Sequence, residues 1–164
     1  MIKLIVLDVD GCLTNGDVIY TADGNEIKHF NVKDGLAISS WIKMGFHAAI
    51  ITGRESKIVE KRANELGIKH LFQHIKDKEQ KLKELIESLG LKSYEVAAIG
   101  DDLNDYKMLN YVGRSFTPKD GVKEIQELVD TVLSRKGGDA AVREMIDILV
   151  DENDTKDEFL SVWI

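Results

Sequence analysis

Cys12 is the only cysteine among 164 residues, which excludes an internal disulfide framework. A single proline, 13 scattered glycines and no low-complexity segment describe one globular domain. A chain of this length buries roughly 70% of the surface its unfolded form exposes, so its core needs neither staples nor a structural metal. The chain also lacks an excess of base. Its 22 basic and 29 acidic residues give a net charge of −7, which opposes unspecific attraction to nucleic acid or anionic lipid. No apolar run approaches the ~20 residues of a membrane span, and Met1 to Asp8 is too short for a signal peptide and ends in an acid. The cytoplasm is therefore the expected compartment. Neither G-x-x-x-x-G-K-[ST] nor G-x-G-x-x-G occurs, so nucleotide-cradling loops have no support. Cys12 is not a phosphatase cysteine of the C-x₅-R type, because Val18 stands where the arginine belongs. His70 and His74 lie in a strand-to-loop segment, where helical metal-ligand spacing does not apply.

What is present is an alternation of apolar runs with amphipathic segments, the pattern of a doubly wound, mostly parallel α/β sheet with helices on both faces. Strands are expected at Leu4–Val9, Ala48–Thr52, Lys69–Phe72, Val96–Gly100, Val112–Phe116 and Thr131–Leu133. Helices are expected at Gly35–Met44, Ser56–Leu66, Lys78–Leu89, Asn104–Tyr111, Val122–Leu128 and Ala140–Val150. Gly45, Gly67 and Gly90 each follow a helical pattern, where a left-handed cap favours glycine. Residues 17–31 break the alternation and read as a β-hairpin turning at Asp23-Gly24-Asn25, with apolar groups on both faces. The domain is expected to span 1–150, and 151–164 to form a tail: an acidic linker or frayed helix end, then an apolar terminus.

Chemistry-bearing residues fall at the carboxyl ends of the expected strands, where open α/β sheets bind ligands. The first strand ends in Asp8-Val9-Asp10-Gly11, two carboxylates that repel unless a cation or shared proton separates them. The second ends in Thr52-Gly53-Arg54, a hydroxyl beside a cation. Lys78 opens a helix, where a positive charge opposes the helix dipole and suits an anionic partner. The fourth ends in Gly100-Asp101-Asp102-Leu103-Asn104-Asp105, a second acid cluster on a glycine turn.

These four segments, with Cys12-Leu13-Thr14 completing the first, resemble in order and spacing the motifs of the haloacid dehalogenase-like phosphatases. The hairpin followed by Phe30-Asn31-Val32-Lys33-Asp34-Gly35, the segment Leu71-Phe72-Gln73 and Gly137-Gly138-Asp139-Ala140-Ala141-Val142-Arg143-Glu144 resemble the capless branch of that superfamily that acts on octulosonate 8-phosphate. The similarity runs over about residues 2 to 150. It implies an Mg²⁺-dependent phosphatase of a small phosphorylated sugar acid, working through an aspartyl-phosphate. Asp8 is then the nucleophile, Asp10 the acid and base, and Thr52 and Lys78 the phosphoryl ligands. Mg²⁺ is held by Asp8, the Asp10 carbonyl and Asp101, with Asp102 and Asp105 positioning. Gly53, Arg54 and Arg62 join Thr52 and Lys78 in binding substrate. Two positions depart from the family pattern: His74 stands where glycine is usual, and Asp139-Ala140 where Arg-Gly is usual.

The alternatives are a phosphatase of a nonulosonate 9-phosphate and, from another class, a receiver-like phospho-aspartate domain. The receiver carries its phosphorylated Asp on the third strand, and Lys69–Phe72 contains none. The segments between the four motifs are already filled by the hairpin, helices and strands, leaving no room for a cap domain. An uncapped site and a two-faced hairpin together imply a homo-oligomer, a tetramer by resemblance, whose sites are closed by neighbouring subunits and in which the C-terminal tail could reach an adjacent site.

Overall fold

Leu4–Leu7 (β1) is apolar at every position and buried on both faces, as the central strand of a parallel sheet must be. The computed structural model, which describes residues 1–164, places β1 between His47–Ile51 (β4) and Val96–Ile99 (β6). His70–Phe72 (β5) forms one edge, and Arg114–Thr117 (β7) and Thr131–Val132 (β8) extend the other, giving the order β5-β4-β1-β6-β7-β8 with every pairing parallel. Ile19–Tyr20 (β2) and Glu26–Ile27 (β3) pair antiparallel as a separate two-stranded ribbon.

Strand alternation sorts the core into two layers. Ile5, Leu7, Ala48, Ile50, Ala97 and Ile99 pack against Val32–Lys43 (α1), Lys57–Leu66 (α2) and Ala141–Glu152 (α6). Leu4, Val6, Ala49, Ile51, Val96 and Ala98 face Lys78–Leu89 (α3), Tyr106–Tyr111 (α4) and Lys123–Leu128 (α5). The expected doubly wound sheet is therefore the observed one, with no cap domain. No helix is long and apolar enough to cross a membrane. The chain moves outward from β1 through β4 to β5, then returns to β1's other side at β6. That reversal opens a crevice at the carboxyl ends of β1, β4 and β6.

At the end of the chain the acidic stretch after Val150 begins as the end of a helix, one of the two forms expected: α6 continues to Glu152, and Lys156–Ser161 forms a further helix (α7). Asn153 is buried between them, accepting from the Ile2 N–H and donating to the Ile2 carbonyl, both at 2.8 Å. Phe159 enters the main core, and the Trp163 Nε1 donates to Ser40 Oγ on α1 at 2.7 Å. Both docking residues, Phe159 and Trp163, come from the apolar terminus that follows the acidic stretch. The hairpin ladder is also shorter than expected, two residues on each side.

Both departures from the family pattern fall where the backbone is left-handed, His74 at φ +56° and Ala140 at φ +65°. That conformation costs an L-residue roughly 1–2 kcal/mol and glycine almost nothing. His74 is exposed, so His74→Gly is expected to stabilise the fold by about 0.5–1 kcal/mol in urea unfolding. Ala140 is 1% exposed. Its buried methyl contributes about 0.8 kcal/mol, so Ala140→Gly should change stability little.

Candidate active site

Beyond Leu7 the chain leaves the sheet in a tight turn. Asp8 stays extended, with its N–H on the Ile99 carbonyl, and Gly11 turns left-handed at φ +95° before the Thr14 N–H returns to the Val9 carbonyl. Only glycine suits position 11, since a Cβ there would also overlap the Asp101 carboxylate. The Gly137-Gly138 pair, which read in sequence as an ordinary turn before the last helix, packs directly beneath. A Cβ on Gly137 would collide with the Gly11 carbonyl, and the Gly138 N–H donates to the Cys12 carbonyl at 3.0 Å. The late glycines thus buttress the turn that carries Asp8 and Asp10.

The turn opens on a recess of about 260 Å³ lined by Asp8, Asp10, Gly16, Thr52, Gly53, Arg54, Asp101, Asp102 and Asn104, without one hydrophobic side chain. Lys78 closes its floor from the first turn of α3. Its Nζ lies 2.7 Å from Asp8 Oδ1 and 2.6 Å from Asp105 Oδ1, and its side chain is 1% exposed. Burial alone would lower the lysine's pKa, but the carboxylates of Asp8 and Asp105 raise it, and it stays an ammonium. Asp105, fully buried, also accepts from the backbone N–H groups of Asp101 and Asp102. It thereby ties Lys78 to the turn after β6. Asp102 caps that turn through the Leu103 N–H at 2.7 Å.

Desolvation sets the acidity. Burial, with Asp105 beside it, pushes Asp8 up to about 8 despite Lys78. Burial, Asp105 and Asp102 push Asp101 up to about 7. Burial first, and then the excess of acid over base in the recess, favour their protonated forms, and a divalent cation between them would reverse that. Ligand atoms of Asp8, Asp101 and Cys12 lie within 4.8 Å of one another. Burial raises the Cys12 thiol well above its usual pKa, so the donors available to a hard cation are the carboxylate oxygens, a set that suits Mg²⁺.

Arg62 stands apart from the other candidates. It lies against Phe30 and Glu65, in a groove between α1 and α2 of about 530 Å³, larger than the acid-lined recess but without its chemistry. Arg54 lines the recess yet is not free: its Nη1 is 2.9 Å from Glu26 Oε1 and its Nη2 is 3.5 Å from the Tyr20 hydroxyl, both on the hairpin. Sequence reasoning missed Lys28 and Glu26, which reach into this site from the hairpin. The signal was their two-residue spacing, which puts both on one face of a strand. Tyr20 pairs with Glu26 on that polar face, and Ile19 pairs with Ile27 on the other. The hairpin is thus polar toward the site and apolar away from it.

A family model for haloacid dehalogenase-like hydrolases matches residues 70–146. The 3-deoxy-D-manno-octulosonate 8-phosphate phosphatase of Yersinia pestis is 40% identical over 149 residues, covering 91% of this chain and 80% of that protein. The chain belongs to the 3-deoxy-D-manno-octulosonate 8-phosphate phosphatase family of haloacid dehalogenase-like hydrolases. Among solved structures, the Moraxella catarrhalis phosphatase of that name, in complex with a magnesium ion, a phosphate ion and KDO, superposes with a TM-score of 0.95 at 37% identity, covering 99% of this chain and 94% of that one. A cobalt-bound Haemophilus influenzae relative gives 0.90 at 37% identity, covering 97% and 96%.

The raised acidities have a measurable consequence. Below about pH 7 to 8 the cation-free site holds protons on Asp8 and Asp101, and a cation must displace them. Mg²⁺ affinity is therefore expected to rise with pH through that window, with proton release on binding at pH 7 and almost none at pH 9. Calorimetry in buffers of different ionisation enthalpy measures that release, and pH-independent affinity would contradict the assignment.

Proposed function

We propose that this protein is an Mg²⁺-dependent phosphatase of 3-deoxy-D-manno-octulosonate 8-phosphate, with Asp8 as its nucleophile. One observation carries the reading: Asp8, Asp10, Thr52, Asp101 and the Lys78 ammonium converge on a single recess, in a chain 40% identical to phosphatases of that substrate. Asp8 attacks phosphorus and forms an aspartyl-phosphate, while Asp10 gives its proton to the departing alkoxide. Water then attacks the acyl phosphate, its proton passes to Asp10, and phosphate leaves with the Asp8 carboxylate restored. Thr52 holds a phosphoryl oxygen, and Lys78 balances charge on Asp8 and the phosphoryl group. Asp8, Asp101 and the Asp10 carbonyl would hold Mg²⁺, which when bound would neutralise charge on the phosphoryl oxygens. The acids stand after β1 and β6, the strands flanking the crevice, which does not match a receiver with its phosphorylated Asp on the third strand.

Arg54 supports an acidic substrate. It is the one cation lining the recess, and a substrate carboxylate would meet it by taking the place of Glu26, 2.9 Å from its Nη1. Asp8→Asn is expected to abolish turnover with the fold intact. Arg54→Ala should lower kcat/KM for octulosonate 8-phosphate at least tenfold more than for p-nitrophenyl phosphate, which has no carboxylate; by contrast, nonulosonate 9-phosphates should be poorer substrates. Steady turnover by Asp8→Asn, or equal losses on both substrates, would contradict these roles.

The reading includes a homotetramer in the cytoplasm. The exposed Val18 and the Ile19–Ile27 ladder face form an apolar surface that a second copy would cover. Arg62, outside the recess of its own chain, would meet a substrate carboxylate only from a neighbouring subunit. The tail is bound to its own chain by Phe159 and Trp163 and is left out of that picture. Sedimentation should show a tetramer that Ile27→Glu dissociates, with loss of activity on the sugar-acid phosphate; a fully active monomer would contradict subunit closure.

A further inference from the structure

Lys28 follows β3 on the hairpin, and its side chain is 1% exposed. A lysine on so small a ribbon would ordinarily keep its ammonium in water, and burying it is unfavourable unless carboxylates receive it. Its Nζ lies 2.5 Å from Asp10 Oδ1 and 3.2 Å from Glu26 Oε1. The Asp10 carboxylate has no other hydrogen-bond donor: the next cation, Arg54 Nη1, is 3.8 Å away. Asp8 is held from beneath by Lys78, but nothing on the turn itself holds the Asp10 side chain. Glu26, two residues before Lys28 and on the same face, engages Arg54 at 2.9 Å. One strand face therefore reaches both Asp10 and Arg54 from the hairpin side.

We propose that Lys28 is a positioning residue for Asp10, so that the hairpin sets the placement of the proton-transfer group as well as offering a surface for association. The inference rests on the reading of Asp10 as acid and base. Proton transfer to a leaving group requires the carboxyl within hydrogen-bond reach of the ester oxygen, and a misplacement of about 1 Å can reduce the rate 100-fold. An alkyl phosphate needs that proton far more than an aryl phosphate, whose phenolate leaves unaided. A lysine that only pinned the hairpin would affect alkyl and aryl phosphates alike once neither carries a carboxylate for Arg54 to meet.

The test compares kcat/KM for a carboxylate-free alkyl phosphate, such as a hexose 6-phosphate, and for p-nitrophenyl phosphate in the full chain with saturating Mg²⁺, for wild type, Asp10→Asn, Lys28→Met and Lys28→Arg. Asp10→Asn should lower the alkyl-to-aryl ratio most. Lys28→Met should lower it about 10- to 100-fold with inhibition by inorganic phosphate unchanged, and Lys28→Arg, which keeps the charge but moves its donors, should lower it several-fold. An unchanged ratio in Lys28→Met beside a reduced one in Asp10→Asn overturns the role of Lys28 alone. An unchanged ratio in Asp10→Asn overturns the reading of Asp10, and that of Lys28 with it. Should Lys28→Met not fold, Lys28→Arg decides, and a wild-type ratio there overturns the proposal.

Discussion

Lys78 lies buried between Asp8 and Asp105 at 2.7 and 2.6 Å, and the geometry of the site depends on that ammonium. Without it the carboxylates after β1 and β6 would face one another with no buried cation between them, which would favour their protonated forms further still. With it, Asp105 is fixed, the backbone N–H groups of Asp101 and Asp102 are anchored to Asp105, and the two strand ends become one site. Lys78 does not neutralise the cluster completely, and the remaining negative charge is what makes the recess a place for a cation. Structural and chemical requirements therefore meet in one side chain, supplied by the first turn of α3, where the helix dipole disfavours a positive charge and the paired carboxylates outweigh it.

The hairpin solves a different problem. A capless site is open to water, which weakens each electrostatic interaction within it. The ribbon places Glu26, Lys28 and Tyr20 toward the recess and the Ile19–Ile27 pair away from it. A polar inner face and an apolar outer one reverse the arrangement of an ordinary surface ribbon. The inner side meets Asp10 and Arg54 through Lys28 and Glu26, which is why its polar groups face the recess.

Much of this was legible in the sequence. Continuous apolar runs announced a parallel sheet buried on both faces, and Lys78–Leu89 carries its apolar stripe so clearly that its expected and observed bounds coincide. Strand ends drifted by one or two residues, because hydrophobicity marks burial and not where the ladder stops. The acids at Asp8, Asp10 and Asp101 to Asp105 stood out because their clusters recur at strand exits. Lys28, Glu26 and the buttressing Gly137-Gly138 did not stand out. A charged residue in a polar-looking hairpin and a glycine pair before a helix have commoner local explanations, and only long-range approach gives them their roles. The left-handed backbone at His74 and Ala140 likewise gave no local sign beyond departure from a familiar glycine pattern.

The sequence by itself determined the layering, the chain order of the motifs and the chemical types at the strand ends, because periodicity and residue type are local properties. Only the tertiary structure decided which charges meet: Lys78 with Asp8 and Asp105, Lys28 with Asp10, Arg54 with Glu26, and Arg62 with none of the acids of the recess. It also decided that the acidic tail docks through Asn153, Phe159 and Trp163. Ion pairing and docking of this kind depend on distances between residues far apart in the chain, and on the desolvation that burial imposes at those distances. Neither quantity exists until the strands are in register and the crevice beside β1 has formed.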